Sequence, residues 1–158
     1  METTRITLIT MLAILTFSCS KSVDLEQERA LLLEVNERQR EAHMNSDPSL
    51  LALGMADTLR AVQRGEIRIE TKSERMKRWD AYFKSIEYSQ WDDLQEPLIE
   101  ISEDATLAWM SVKKITVSTW VDDPSQAIDT TYFAWTTGFK KIKGDWKVYS
   151  VTSTRVAK

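Results

Sequence analysis

The chain changes its hydrophobic rhythm near Ile86, and that change divides it into a helical front and a strand-built remainder. From residue 23 to about 45 there is neither Gly nor Pro, and Leu32, Val35, Gln39 and Ala42 recur at three- and four-residue steps. That spacing lays one face of a long helix against a core. Asp47 before Pro48 supplies an N-cap and a proline where a helix needs no amide donor, and Gly54 closes the segment 49–53 as a C-cap. Residues 59–63 and 66–70 flank Arg64-Gly65 like the arms of a tight hairpin, with Ile67 and Ile69 alternating against charged neighbours. Thr71-Lys72-Ser73-Glu74 fits a capping box, and Met76, Trp79, Phe83 and Ile86 then share one stripe, which predicts a third helix.

Beyond Ile86 the pattern predicts β-segments at roughly 87–101, 105–121, 129–143 and 145–155, separated by Glu103-Asp104, Asp122-Asp123-Pro124-Ser125 and Gly144-Asp145. They read as an antiparallel meander. In the second, the apolar phase moves from Leu107 and Trp109 through Val112 to Ile115 and Val117, which predicts a bulge near Lys113-Lys114 and a bent sheet. In the third, Phe133, Trp135 and Phe139 share one face and Tyr132, Ala134 and Gly138 the other, so both faces are apolar enough to be covered.

The 158 residues are 42% hydrophobic and 28% charged, with a formal charge of −3. These values fit about one globular domain with a packed core. No dense basic run offers a footprint for nucleic acid. One Cys and one His cannot build a Cys/His zinc site or an internal disulfide, so neither a metal nor a cofactor is implied. A phosphate-cradling Gly-rich loop, a Gly-x-Ser-x-Gly elbow and a Glu-x-x-His helix are all absent from the sequence.

The apolar run 6–18 after Arg5 is too short for a spanning helix but suits the core of a signal peptide. It ends at Ser18-Cys19-Ser20-Lys21, which resembles the lipobox of bacterial lipoproteins, with Thr16 where the commonest form has Leu. The resemblance implies that 1–18 are removed, that Cys19 is acylated and that 19–24 form a tether. Each buried acyl CH₂ would contribute ~0.8 kcal/mol to membrane anchoring. Ser20 gives no Asp-type inner-membrane retention signal, so the implied address is the cell envelope at the outer membrane. The rival readings are a cleaved peptide with a stray thiol and an uncleaved anchor.

Several side chains are candidates for chemistry. His43 is the one group whose ordinary pKa lies near neutrality, and it reads either as a general base or, more simply, as a surface histidine complementing a helix C-terminus. Gln39 on the apolar stripe must find a partner for its amide, a neighbouring side chain, water or ligand, because leaving it unpaired costs ~1–3 kcal/mol. Asp57 could be a catalytic carboxylate but more simply caps a turn. Asp92 and Asp93, adjacent on a strand, point to opposite faces and cannot share a proton-transfer site. Of six tryptophans, Trp79, Trp109 and Trp135 are placed nearest a cavity, with Tyr82, Phe83 and Tyr149 as neighbours.

Asp47-Pro48 opening the second helix, Met55-Ala56-Asp57 entering the first strand, Trp91-Asp92 after the third helix and the final Gly144-Asp145-Trp146-Lys147-Val148 hairpin appear in this order over residues 25–155. Together they resemble the SnoaL-like branch of the nuclear transport factor 2-like superfamily. That resemblance implies an α+β cone, three N-terminal helices packed on a strongly curved antiparallel sheet, with an apolar pocket at its open end. It also implies a homodimer through the outer sheet face. Laid over the superfamily's steroid isomerases, the chain puts Gln63 at the general-base position and Gln39 at that of the oxyanion tyrosine, and an amide cannot take the proton. The leading expectation is therefore a lipid-anchored envelope protein that binds a small apolar or amphipathic molecule without catalysis. The rivals are an isomerase or lyase using His43 or Asp57 with Gln39, and a dimerising scaffold with a filled cavity.

Overall fold

The computed structural model describes residues 23–157. The segment 1–18, Cys19 and the first part of the tether lie outside the described residues. Three helices open the chain, α1 (Leu25–Met44), α2 (Pro48–Leu53) and α3 (Lys72–Ser85). Each starts on a side-chain cap: Asp24 accepts from the amides of Glu26 and Gln27, Asp47 from Ser49 and Leu50, and Thr71 forms a reciprocal box with Glu74. Between α2 and α3 runs the hairpin of β1 (Met55–Gln63) and β2 (Glu66–Thr71). Its turn residues Arg64 and Gly65 have φ of 53° and 79°, the doubly left-handed geometry that matches the twist of a two-residue hairpin.

After α3 come β3 (Ile86–Asp93), β4 (Leu98–Ile101), β5 (Leu107–Trp120), β6 (Ile128–Ile142) and β7 (Asp145–Ala157). The seven strands form one sheet ordered β2-β1-β7-β6-β5-β3, with β4 also on β5. The chain thus has the predicted α+β architecture of helices on a sheet, but the sheet is mixed, because β1 runs parallel to β7.

Two details of the strand reading are corrected. The segment 87–101 is two strands, since Asp93 pairs with Lys114 and Leu98 with Ser111, so the partner strand is shorter and, after a last bond from Leu94 to Lys113, residues 95–97 bow out of the ladder at Pro97. The bulge expected near Lys113-Lys114 is not there: β5 stays in unbroken register with β6 from Leu107 to Thr119. Ala108, Met110, Val112, Lys114, Thr116 and Ser118 all face inward, so the inner face changes from apolar to polar while its phase is constant. Register shifts instead between Tyr88 and Gln90, between Gly138 and Phe139, and within β1.

The core gathers Leu32 and Val35 of α1 with Leu59, Met110, Val112, Phe139, Trp146 and Val148 of the sheet. A second cluster, Ala42, Leu51 and Phe83, joins the three helices. Near its start α1 is tied to the far end of the sheet through Glu28, which pairs with Lys141 and accepts a 2.8 Å hydrogen bond from Trp146 Nε1.

Candidate functional site

Between the helices and the concave sheet lies a cavity of about 250 Å³. Helix α1 contributes Val35, Arg38, Gln39 and His43, and α3 contributes Arg75, Trp79 and Tyr82. The sheet supplies Tyr88 and Trp91 from β3, Phe133, Trp135 and Thr137 from β6, and Val148, Val151 and Ser153 from β7. The positions on β3 depend on a bulge. Residues three apart normally face opposite sides of a sheet, but the register shift between Tyr88 and Gln90 turns both Tyr88 and Trp91 inward.

His43 is enclosed by rings. It stacks on Trp91 at 3.6 Å between centroids and meets the edges of Phe83 at 5.4 Å and Tyr88 at 5.8 Å. Its Nδ1 lies 2.7 Å from the carbonyl oxygen of Gln39. A carbonyl only accepts, so Nδ1 carries the proton and Nε2 keeps a free lone pair. Burial holds the imidazole down at about 4 despite the Gln39 bond, and the charge of Lys114 pushes the same way. His43 is therefore neutral at pH 7. The surface-histidine reading is overturned, because the last turn of α1 packs inward against α3 and β3.

Tyr82 and Tyr88 hydrogen-bond hydroxyl to hydroxyl at the cavity wall. Burial raises both phenols above their ordinary value, Tyr88 far more, so each is a neutral hydroxyl. Trp91 Nε1 is buried without a hydrogen-bond partner among the described residues. Behind Trp135 sits Lys114, fully buried, with Nζ 6.0 Å from the Trp135 ring and 2.6 Å from Asp93 Oδ1. Asp93 also accepts a 2.8 Å bond from Asn36, while Asp92 pairs with Arg40 at 3.1 Å. The two aspartates thus answer to different cations.

Of the residues read from the sequence, Gln39, His43, Trp79, Tyr82 and Trp135 line the cavity. Phe83 lies beneath it, buried with Ala42 and Leu51. Two placements are corrected. Trp109 is on the outer face, 41% exposed, in a shallow groove with Leu98, Glu100, Ser111 and Thr136, because odd positions of β5 point outward along its whole length. Tyr149 is the residue left unpaired by the shift opposite Gly138 and Phe139, and it lies over Gly138 beneath Lys140. Asp57 is exposed on β1 and does not line the cavity. Gln63 accepts from the hydroxyl of the cavity residue Ser153 at 3.5 Å. The sequence reading missed Tyr88, Trp91, Phe133, Arg38 and Arg75. Among the described residues no group of His, Cys, Asp and Glu is arranged to hold a metal ion.

No protein-family model matches the chain, and no curated protein sequence matches it. Solved structures do share its fold. It superposes on an NTF2-like protein from Cytophaga hutchinsonii with a TM-score of 0.64 and 19% identity, covering 81% of this chain and 98% of that one. A candidate dehydratase of the NTF2-like family from Streptomyces avermitilis gives 0.67 and 15%, over 83% and 97% of the two chains. A ketosteroid isomerase-like protein from Erwinia carotovora atroseptica gives 0.67 and 12%, over 84% and 98%. The likeness is one of fold, the NTF2-like cone, and a fold hosts many functions.

Proposed function

We propose that this protein binds a small amphipathic molecule in the aromatic cavity between its helices and the concave sheet, and that it does so without catalysis. The observation that carries this reading is the cavity itself. Its wall is mostly apolar, with a few convergent polar groups: Gln39, the bare Nε2 of His43, the Tyr82–Tyr88 hydroxyl pair, Thr137 and Ser153. That is the composition of a small-molecule site. A cavity filled by its own side chains, as a pure scaffold would have, does not fit an opening of this size.

The electrostatics favour binding over proton transfer. A general base works best with a pKa near the operating pH, and an imidazole held at about 4 accepts a proton poorly at neutrality. The same imidazole is a fixed, uncharged acceptor, suited to a donor on a guest. Asp57 lies outside the cavity, and the position that the isomerase comparison gives to a carboxylate is held by Gln63.

Cys19 would carry the acyl anchor at the envelope, with the cone held outside the bilayer on the tether 19–24. A second copy would cover the outer sheet face, where Leu98, Trp109, Ile128 and Val156 are exposed. Titration with 2-naphthamide, a neutral two-ring probe, tests the central part: saturable one-to-one binding supports it, and no binding ends it.

A further inference from the structure

We infer that the guest is an anionic amphiphile, one or two apolar rings bearing a carboxylate, and that Arg38 and Arg75 receive the carboxylate. The inference rests on the binding reading above and adds the charge of the ligand. The formal charge of the chain is −3, yet the charged side chains lining the cavity are Arg38 and Arg75, with no Asp or Glu among the lining residues.

Each arginine has donors to spare. No ion pair or hydrogen bond engages the Arg38 side chain among the described residues, although it is only partly exposed. Arg75 gives one arm to Glu70, Nη1 to Oε2 at 3.0 Å, but the same oxygen also receives Arg78 Nη2 at 2.6 Å. One carboxylate thus serves two guanidiniums, and the cluster keeps a net positive charge that Arg68 nearby increases. Arg75 Nε is buried with no hydrogen-bond partner among the described residues. The guanidinium carbon lies over the ring of Trp79, another lining residue, at 4.8 Å from its centroid, a cation–π contact that holds the charge beside the aromatic wall. Burial, then the like charge of Arg78, lowers Arg75 to about 10, so it remains a cation at neutral pH.

A guanidinium fork matches a carboxylate in shape and donor count, and in a partly desolvated site the pair is stronger than in water. The rest of the guest is set by the cavity. Its volume of about 250 Å³ lies just below the usual range for drug-sized ligands, which limits the apolar body to one or two rings. Trp91, Phe133 and Trp135 provide flat partners for them.

The test compares 2-naphthoate with 2-naphthamide, which have the same shape and differ in charge, by isothermal titration of the wild type and the variants Arg38→Gln and Arg75→Gln. In the wild type at low salt the acid should bind about tenfold or more tighter than the amide, the scale of hydrogen bonds to a charged group. Raising the salt should weaken the acid alone. Arg38→Gln, which breaks no ion pair or hydrogen bond of the free protein among the described residues, should erase most of that preference by weakening the acid far more than the amide. Arg75→Gln should act in the same direction, with its folding checked by circular dichroism. If the amide binds as tightly as the acid, or Arg38→Gln leaves the preference intact, this inference fails while the cavity reading stands. If neither compound binds, both fail together.

Discussion

The imidazole of His43 lies flat on the indole of Trp91, their centroids 3.6 Å apart and their planes within 16°. The contact joins the end of the first helix to the edge strand of the sheet and holds the ring where a charge is poorly hydrated. Its consequence is a pH dependence of stability. The folded value of about 4 is below the ordinary 6.5, so between those two values the unfolded chain binds the extra proton. The stabilisation from the neutral ring is complete above pH 6.5 and is lost as the pH falls towards 4. Its size is on the order of 3 kcal/mol across that window. Urea denaturation of the wild type and His43→Phe should diverge between pH 7 and pH 4, the variant losing less. A proton-NMR titration of His43 with its midpoint near 6.5 would contradict the enclosed geometry.

Lys114 and Asp93 form the second consequential pair. The ammonium is fully buried and has no hydrogen-bond partner beyond this ion pair, so its charge depends on Asp93, which itself reaches solvent. Asp93→Leu should cost ~3 kcal/mol, because it strands the fully buried Lys114 ammonium without its counter-charge. The double variant Lys114→Met/Asp93→Leu, which buries no charge, should be more stable than Asp93→Leu alone. Equal stability of the single and double variants in urea would show that the pair is not coupled.

Much of this arrangement is legible in the sequence, and what is not has identifiable causes. The helices are readable because their caps and stripes are local: Asp47-Pro48 and Thr71 to Glu74 place their starts, and Gln39 and Trp79 follow from helical spacing, whereas the inward turn of His43 does not. The strands are harder, since one extra residue reverses every side chain beyond it. Tyr88 and Trp91 come together through a register shift with no sequence mark, and Tyr149 is turned out by another opposite Gly138. Trp109 is misplaced for the reverse reason. A change of chemistry along the inner face, from Val112 to Lys114, imitates a change of phase. Arg38 and Arg75 are missed because charged helical residues are ordinarily solvated, and only the packing of α1 and α3 over the sheet brings them to one cavity.

The outer sheet face gives a prediction about assembly. Trp109→Asp, on the face opposite the cavity, should convert a homodimer into a monomer in sedimentation experiments while 2-naphthamide binding is retained. A monomeric wild type, or a variant that still dimerises, would remove the proposal that this face pairs with a second copy.

The proposed anchor can be tested by itself. Cys19→Ala should abolish metabolic labelling with a clickable fatty acid and release the protein from the membrane fraction. Continued labelling of that variant would rule out acylation at this residue.

The claim on which the account depends is that the cavity holds a guest. The most direct measurement is calorimetric titration of 2-naphthamide into the wild type and into Val151→Phe, a substitution that projects a ring into the cavity from β7. The account predicts one-to-one binding with a negative heat-capacity change in the wild type, the mark of apolar surface leaving water, and no binding to a folded Val151→Phe. Absence of binding to the wild type, or equal binding to the filled variant, would contradict it.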